Sequence, residues 1–579
     1  MYLDKVIKLK QDSLRLEKVM RVLIVLTLSA LIYASPVSAS MQGYAQVTPD
    51  GKAAVATVQP RATEAAMTVL KEGGNAVDAA VAAALALGVV DGHNSGIGGG
   101  CFAIVRWADG SIEALDGREM APAAASRDMY VRDGVVVKGL SRTGALASGV
   151  PGSVAVYDYM LKKGGALARD KVYAPSIELA QKGFPIDQIY ADRLARHRQT
   201  LAGFEGSAAV LLNAEGQPWP AGHLLQQPDL AATYRALAKE GADYFYRGEF
   251  AQAVERWMKA NEGLITAADF ARYKMLHRKP VYSQYRDYEV VGFGPPSSGG
   301  VHVAEILNTL QTFELAELDE VSRYHVIAEA MKLAFADRAY WLGDPAFVDV
   351  PKGLVSDEYA RKRAASISLE RVQENVQHGT PKGSDINLFD KHTTHIAAAD
   401  SDGNWVAITT TVNTDFGSKV IIPGTGVVMN NQMDDFVAQP GVANIYGLVG
   451  SEANAVAPGK RPLSSMSPTL LLRGGKPVMT LGAAGGPTII TQVVQAIVQH
   501  IDLGKPLYEA LVSPRIHHQW QPNTLYLEPV ASDALRDGLK NLGHNIKSLG
   551  PYGSTQAIEW RDGKFTAVSE PRLEQRNKH

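Results

Sequence analysis

A threonine at the start of a predicted strand is the first candidate for chemistry in this chain. Lys391-His392-Thr393-Thr394-His395 follows a polar segment, 380–392. A threonine hydroxyl is a weak nucleophile until a base takes its proton, and the α-amine of a chain start is one such base. That amine titrates near ~7.7–8.0, so part of it is neutral at ordinary pH. If the Thr393 hydroxyl attacked the His392 carbonyl and water opened the ester, Thr393 would become a chain start with both groups.

The elements that must position Thr393 form a predicted hairpin. The β-rich runs 394–399 and 405–412 are joined by five residues, Asp400 to Asn404, that are typical of a hairpin turn. A loop of three residues with its glycine left-handed predicts that Thr393 faces Thr411. One face is then largely apolar, and the other carries Thr393, His395, Thr409, Thr411 and Asn413. A two-residue loop would shift this register by one, and the threonines also suit an ordinary strand.

Three further motifs follow the hairpin. Amides and carboxylates are concentrated in Asn430-Asn431-Gln432-Met433-Asp434-Asp435-Phe436, and a serine pair lies in Arg461-Pro462-Leu463-Ser464-Ser465-Met466-Ser467-Pro468. Leu481-Gly482-Ala483-Ala484-Gly485-Gly486-Pro487 ends a predicted strand before a helix-like run, 488–498. Backbone N–H groups at such a glycine pair suit an oxyanion, and losing one such donor costs ~2.7–4 kcal/mol. A tight turn at a helix start is the alternative for the glycines.

In this order, the motifs resemble the γ-glutamyltransferase family, whose members are also called γ-glutamyltranspeptidases or glutathione hydrolases. The resemblance covers nearly all of the chain after its leader. It implies an α/β (α+β) fold of the N-terminal-nucleophile hydrolase type, a four-layer αββα sandwich. It also implies self-cleavage into a large subunit, 40–392, and a small subunit, 393–579. The two subunits would remain together as a heterodimer and form one domain.

The resemblance assigns a role to each candidate residue. Thr393 would be the nucleophile, Thr411 would orient it, and Gly485 with Gly486 would form the oxyanion hole. The substrate's α-ammonium would bind Asn413, Gln432 and Asp435, and its α-carboxylate would bind Arg118, Ser464 and Ser465. We call these six residues the γ-glutamyl clamp, in which Arg118 offers a planar fork and Asp435 a counter-charge. Taken alone, Arg118 would be expected at the surface and Asp435 in a solvated loop.

A segment rich in glycine, 439–451, resembles the lid found over the site in many members of the family. It contains Tyr446, which would contact substrate. A lid excludes water and commits the substrate to reaction. A surface loop with one exposed tyrosine is the alternative.

The expected reaction cleaves the γ-glutamyl amide of glutathione or a related donor. The γ-glutamyl group would pass through a Thr393 ester to water, or to the amine of an amino acid or peptide. Cephalosporin acylases resemble the same family, so transfer of a glutaryl group is the alternative, although glutaryl has no ammonium for Asp435. A non-enzymatic periplasmic binding protein on this scaffold would instead remain one uncut chain.

Composition and the leader restrict the class of protein and its cellular location. The chain has 579 residues, of which 46% are hydrophobic, so it can bury a large core. Its net charge is -2 with acids and bases interspersed, which argues against nucleic-acid binding. Residues 1–39 contain a secretory signal, with an apolar run after Arg21 that is too short for a stable membrane span and a small-residue cleavage site at Val37-Ser38-Ala39. We expect a periplasmic or secreted protein.

No cofactor or metal is expected. The glycine run 96–100 follows a helix-like segment and lacks the last glycine of a dinucleotide loop, because Cys101 stands there. Cys101, the single cysteine, is expected to be a packed residue without a disulfide partner. His517 and His518 are adjacent on a predicted strand and would point to opposite faces, so packing is preferred to metal binding.

Overall fold

The computed structural model describes residues 43–379, 394–439, 452–549 and 553–573. These residues belong to one compact unit. The leader, Thr393 with the segment before it, and Tyr446 lie outside the described residues. Within the described ranges, no helix is long and apolar enough to cross a membrane.

The strands are β1 (Ala45–Val47), β2 (Ala53–Ala56), β3 (Gly100–Arg106), β4 (Ile112–Gly117), β5 (Val131–Arg132), β6 (Val135–Val136), β7 (Phe184–Pro185), β8 (Leu224–Leu225), β9 (Leu276–Arg278), β10 (Val281–Tyr285), β11 (Tyr288–Gly292), β12 (Thr394–Asp400), β13 (Trp405–Thr411), β14 (Thr469–Arg473), β15 (Lys476–Gly482), β16 (Ile516–His517), β17 (Leu525–Leu527), β18 (Ile546–Ser548), β19 (Gln556–Arg561) and β20 (Lys564–Ser569).

The α-helices are α1 (Pro60–Lys71), α2 (Ala76–Val90), α3 (Lys138–Arg142), α4 (Ser153–Gly164), α5 (Arg169–Lys182), α6 (Gln188–Leu201), α7 (Glu205–Leu211), α8 (Pro228–Glu240), α9 (Ala242–Tyr246), α10 (Glu249–Ala260), α11 (Ala267–Arg272), α12 (Gly299–Leu310), α13 (Glu320–Trp341), α14 (Asp357–Ala364), α15 (Thr488–Ile501), α16 (Leu507–Val512) and α17 (Asp533–Asn541). Short 3₁₀ turns cover Ala145–Ala147, Lys352–Val355, Gln432–Asp435 and Glu452–Asn454.

Two sheets stacked face to face form the centre of the fold. The first has the strand order β1-β2-β12-β13-β3-β4-β9, and the second has the order β10-β11-β14-β15-β19-β20. Apolar side chains fill the space between them, including Phe102 stacked on Phe293 with ring centroids 4.2 Å apart. Helix α2 packs on the outer face of the first sheet, and α12 and α15 pack on the second. The predicted four-layer αββα sandwich is confirmed.

The central hairpin has the predicted register. Ile396 pairs with Ile408, and Ala398 pairs with Val406. The turn is closed by a 3.0 Å hydrogen bond from the Asp400 amide to the Asn404 carbonyl, with the loop glycine at φ 101°. Thr394, the first described residue of β12, pairs with Thr410. The predicted pairing of Thr393 with Thr411 lies outside the described residues.

The expectation of one apolar and one polar face was only partly right. Every residue of β12 and β13 is buried, because the hairpin lies in the middle of the first sheet and is covered on both sides. Ile396 and Ile408 face the helices, while Ala397 and Trp405 face the second sheet. The polar side chains of the hairpin lie toward both of its ends, with Thr409 to Thr411 at one end and Asp400 with Asn404 at the turn.

Helix α2 runs beside β12 and connects its two ends. Asn75 begins the helix by accepting hydrogen bonds from the amides of Val77 and Asp78, and Asp78 accepts one from the Asn75 amide in return. The first helical amide, that of Ala76, donates to Asp400 at 2.9 Å. At the other end of α2, Asp91 lies beside the start of β12. All residues of α2 are buried, and its alanines allow close packing on the sheet.

Replacing Asn75 with alanine should lower the free energy of unfolding by about 1 kcal/mol, since two amides at the start of α2 lose their acceptor. A shift of the urea unfolding midpoint measures this loss. Asn75→Ser is the matched control, because it keeps an uncharged capping oxygen and removes the amide that donates to the Gly164 carbonyl. Equal losses in both variants would contradict a capping role.

Candidate active site

Arg118 lies directly after β4 and is buried, contrary to the expectation of a surface arginine. Its Nε donates to the Pro462 carbonyl and its Nη2 to the Leu463 carbonyl, each at 3.1 Å. Nη2 also forms an ion pair with Asp435, and Nη1 lies 3.3 Å from Glu119. The Arg118 and Asp435 side chains are 1% and 0% exposed, so the expected solvated loop for Asp435 is also wrong. Burial is tolerated because the opposite charges are in contact.

A second buried carboxylate fixes the chain that carries Arg118. Asp116 accepts hydrogen bonds from the Arg118 amide at 2.8 Å and from Arg278 Nε at 2.7 Å, and it pairs with Arg461. Burial raises the pKa of Asp116, but Arg461 and Arg278 outweigh it and hold the pKa below its usual value. Asp116 thus ties the end of β4 to the serine motif. Sequence reasoning missed this role, although Arg461 opens that motif.

Gln432 and Asp435 lie on one 3₁₀ turn and contact each other. Gln432 Nε2 donates to Asp435 Oδ2 at 2.7 Å, whereas the buried Gln432 Oε1 has no hydrogen-bond partner among the described residues. A buried acceptor beside a carboxylate suits the N–H groups of an ammonium. Asn454, another residue that sequence reasoning missed, donates to the Asp435 carbonyl at 2.6 Å and accepts from the Leu463 amide at 3.0 Å. It therefore connects the two halves of the γ-glutamyl clamp.

Asn413 follows β13 in a left-handed conformation, at φ 79°. Its amide donates to Thr411 Oγ1 at 2.8 Å, and its side-chain Nδ2 donates to the Asn431 carbonyl at 2.9 Å. Asparagine tolerates this backbone conformation better than most residues. The turn directs Asn413 toward the segment that carries Gln432. Gly99 packs against the same turn so closely that a Cβ there would lie 1.8 Å from the Thr411 carbonyl oxygen.

Hydrogen bonds with residues beside the second sheet hold the serine pair in place. Ser464 donates its amide to the Pro296 carbonyl at 2.7 Å, and Ser298 donates its hydroxyl to the Ser464 carbonyl at 2.8 Å. Arg338, fully buried on α13, donates to both the Ser298 and Ser465 hydroxyls. Because Ser298 donates its only hydroxyl proton to the Ser464 carbonyl, Ser465 donates in the 3.2 Å contact between the two hydroxyls. A substrate carboxylate would replace Ser298 as the acceptor of this proton. Arg338 lies outside every motif identified in the sequence analysis.

Gly485 and Gly486 form the turn between β15 and α15, with φ values of 123° and 68°. Their carbonyls accept hydrogen bonds from Thr488 Oγ1 at 2.5 Å and from the Ile489 amide at 3.0 Å. Their N–H groups make no backbone hydrogen bond within the described parts of the chain. Two such donors at a helix start suit a developing negative charge on oxygen.

The glycine turn lies over the start of β12. A Cβ on Gly482, the last residue of β15, would be 2.3 Å from His395 Cε1, so the two strands are in direct contact there. His395 is fully buried, and burial lowers its pKa to about 3. Its Nδ1 lies 2.9 Å from Thr409 Oγ1. His395 is therefore a neutral packing residue, and the charged groups of the site come from the clamp.

Three potential metal ligands meet away from this site. Donor atoms of His325, Glu329 and His544 all lie within 4.8 Å of one another, a grouping that no sequence spacing indicated. However, Glu329 Oε1 accepts from Lys332 at 2.6 Å, and His325 Nδ1 lies 2.8 Å from His544 Nε2. Each donor is already paired within the protein. We interpret the group as a buried hydrogen-bond network.

His517 and His518 are both buried and hydrogen-bonded inside the fold. His517 Nδ1 lies 3.1 Å from Thr491 Oγ1, and His518 Nε2 lies 3.2 Å from Asn523 Oδ1. The packing role predicted for them is confirmed. Cys101, on β3, is also buried as expected.

The site and the sandwich together define a class of protein. Face-to-face antiparallel sheets between helices, with a central strand that starts beside a glycine turn, are the architecture of N-terminal-nucleophile hydrolases. Comparison with solved structures agrees, because a cephalosporin acylase from Bacillus halodurans superposes with a TM-score of 0.81 at 28% identity, covering 90% of this chain and 94% of that one.

The chain belongs to the gamma-glutamyltranspeptidase family, whose sequence profile matches residues 62–578. A glutathione hydrolase proenzyme of Escherichia coli (strain K12) is 42% identical over 524 residues, which are 90% of this chain and 90% of the relative. Acylase ACY 1 proenzyme of Pseudomonas sp. (strain SE83) is 37% identical over 528 residues, covering 89% of this chain and 91% of the relative. The family resemblance inferred from the motifs is confirmed.

Glu119 provides a test of the electrostatics beside Arg118. Burial raises the pKa of Glu119 to about 7, even though Arg118 opposes the shift. As pH rises from 4.5 to 7, the unfolded chain loses this proton and the folded chain keeps it, so the free energy of unfolding falls. Glu119→Gln carries no charge at any pH. It should reduce this decline and stabilise the protein at pH 8, by at most about 3 kcal/mol.

Urea unfolding at pH 5 and pH 8 measures the effect of Glu119→Gln. The matched control is Glu113→Gln on β4, the strand that ends two residues before Glu119. Burial raises the pKa of Glu113, but Lys163 and Tyr159 outweigh it and lower the pKa. That variant should therefore be slightly less stable than the parent at pH 8. A loss of stability in Glu119→Gln at pH 8 would contradict the raised pKa.

Proposed function

We propose that this chain is a self-processing γ-glutamyl hydrolase and transferase that acts on glutathione and related donors. The observation that carries the proposal is the buried ion pair between Arg118 and Asp435. The two opposite charges lie buried side by side, with Gln432 hydrogen-bonded to Asp435 and the serine motif hydrogen-bonded to Arg118. The α-carboxylate and α-ammonium of a γ-glutamyl group are the complementary pair of charges.

Substrate binding would exchange one ion pair for two. The substrate carboxylate would take the Arg118 fork, and the ammonium would take Asp435 and the unpaired Gln432 Oε1. The number of buried charges of each sign stays balanced throughout. A ligand without an ammonium would separate the pair and leave Asp435 buried without a counter-ion, which typically costs ~3–5 kcal/mol. This favours γ-glutamyl over glutaryl substrates.

The proposed reaction begins with self-cleavage at the His392–Thr393 bond. The freed Thr393 amine then takes the hydroxyl proton while the oxygen attacks the γ-carbonyl, and Gly485 and Gly486 stabilise the oxyanion. The amide C–N bond breaks, the leaving amine receives the proton, and a γ-glutamyl ester remains on Thr393. Water or another amine attacks this ester, Thr393 regains its proton, and glutamate or a γ-glutamyl product leaves. Thr411 would orient the nucleophile, and Tyr446 would lie in the lid.

The strand order supports a heterodimer of the two predicted subunits, 40–392 and 393–579. Strands β12 and β13 of the small subunit pair with β2 on one side and β3 on the other, both from the large subunit. Cleavage before β12 breaks none of these ladders. The signal in residues 1–39 supports export, so we place the enzyme in the periplasm or outside the cell, with glutathione-like donors and amino acids or peptides as its partners.

Thr393→Ala should abolish both self-cleavage and γ-glutamyl transfer, because the hydroxyl that performs both attacks is removed. Intact mass and a denaturing gel would show one chain in place of two. Thr393→Ser keeps a hydroxyl on a chain start and should still be cut, although more slowly. Two subunits of normal size from Thr393→Ala would overturn the assignment of the nucleophile.

Asp435→Asn should separate the two candidate acyl groups. Hydrogen bonds to charged groups contribute ~1.5–3 kcal/mol, so we expect kcat/KM for a γ-glutamyl anilide to fall about 10- to 100-fold. Turnover of the glutaryl anilide should stay the same or rise, since the substitution removes a buried charge that this substrate cannot neutralise. The acylase relatives make the glutaryl reaction a real second candidate. A parent enzyme that prefers the glutaryl anilide would favour that candidate.

A further inference from the structure

Arg338 lies wholly inside the protein, on α13, and contacts the serine pair of the γ-glutamyl clamp. It is one of the largest fully buried side chains of the described residues. Its Nε donates to Ser298 Oγ at 2.6 Å, and its Nη2 donates to Ser465 Oγ. Burial of a guanidinium group is costly unless its N–H groups are bonded. The fold therefore uses a buried cation to bind two neutral hydroxyls, one of which belongs to the clamp.

The first of these hydroxyls, that of Ser298, lies directly before α12. A serine at this position commonly caps the helix by accepting from a backbone amide. The Ser298 hydroxyl instead accepts from Arg338 and donates to the Ser464 carbonyl at 2.8 Å. The same carbonyl accepts from the Ser298 amide at 2.7 Å. Ser298 is therefore bound to the clamp at two of its atoms.

Arg338 determines the direction of the hydrogen bonds at both hydroxyls. An arginine has no acceptor, so Ser298 and Ser465 must each accept from it. The Ser298 proton is used by the Ser464 carbonyl, which leaves the Ser465 proton to donate in the 3.2 Å contact with Ser298 Oγ. That distance is long for an O–H···O bond, which is usually about 2.7–2.8 Å. A carboxylate oxygen is therefore a better acceptor for the Ser465 proton than Ser298 is.

Two arginines hold the serine motif from its two ends. Arg118 donates to the Pro462 and Leu463 carbonyls at 3.1 Å, before the serine pair, and Arg338 binds Ser465 at its far end. The start of α12 packs closely on the same motif, because a Cβ on Gly299 would lie 2.4 Å from the Met466 carbonyl oxygen. The position of the Ser465 hydroxyl is therefore fixed by the surrounding structure.

We propose that Arg338 is a positioning residue that makes the clamp selective for an α-carboxylate. It orders the Ser298 and Ser465 hydroxyls so that Ser465 gives its proton to the substrate. The assignment rests on the proposed function, which brings the α-carboxylate to Ser465. Hydrogen bonds in a chain polarise one another, so donation by Arg338 strengthens donation by Ser465. A neutral carboxamide gains less from this chain, because hydrogen bonds to charged groups are stronger than those between neutral groups.

A pair of donors tests the role of Arg338. γ-Glutamyl-p-nitroanilide and its α-carboxamide analogue differ only in the group that Ser465 would bind. The parent should show a higher kcat/KM with the carboxylate donor. In Arg338→Met, which removes every N–H donor of the side chain, the ratio between the two donors should fall about 10-fold. KM for the carboxylate donor should rise with little change in kcat, because the bond is present in both the ground state and the transition state.

A merely structural role of Arg338 would lower the amount of active enzyme and leave this ratio unchanged. Arg338→Lys keeps the charge but not the planar fork, so its ratio should fall less, by about 3-fold. Arg323 is the matched control, because it lies near the other end of α13 and donates to the Leu315 and Leu318 carbonyls at 2.8 and 2.6 Å. Arg323→Met should keep the parent ratio.

A double variant tests whether Arg338 acts through Ser465. In a Ser465→Ala background, Arg338→Met should change the donor ratio little, because the hydroxyl that it orders is absent. A full additional 10-fold fall would overturn this route.

A parent ratio in either Arg338→Met or Arg338→Lys would overturn the assignment while γ-glutamyl hydrolysis itself persists. The lysine variant decides the matter if Arg338→Met does not fold. A parent protein that releases no p-nitroaniline from the γ-glutamyl donor would instead overturn the proposed function, and this assignment with it.

Discussion

The candidate site depends on a set of buried charges that neutralise one another. Arg118 and Asp435 are almost wholly excluded from water, and each would destabilise the fold strongly if its partner were missing. Asp116 and Arg461 form a second buried ion pair, close to Arg118 in the chain. These ion pairs connect the end of β4, the 3₁₀ turn and the serine motif. The connected segments can bind a zwitterion because they already contain both charges in contact.

The sandwich explains how a chain could be cut at its nucleophile and remain active. The hairpin of β12 and β13 is held by ladders to strands from both sides and by apolar packing on both faces. A break before β12 would remove one covalent link but little buried surface. The end of the hairpin at Thr411 carries polar groups. The end of helix α2 and the glycine turn after β15 meet there, beside Thr394.

Much of the local structure could be predicted from the chain. The hairpin register followed from loop length and alternation, and Asn75 was recognisable as the start of α2 from residue type alone. The clamp residues were identified by resemblance of motifs. Their surroundings were not, because burial of Arg118 depends on Asp435, which is more than 300 residues away in the chain. Arg338 and Asn454 escaped notice for the same reason: an isolated arginine or asparagine carries no pattern.

Short motifs and the alternation of residues in the hairpin were enough to indicate the family and the residue types at the site. Long-range contacts show that both faces of the central hairpin are covered, that Arg118 and Asp435 neutralise each other, and that Asp91 and Arg193 share a cavity at the start of β12. These features arise from contacts between distant segments. Local propensity does not encode such contacts, because the free energy of a buried charge depends on which group lies beside it.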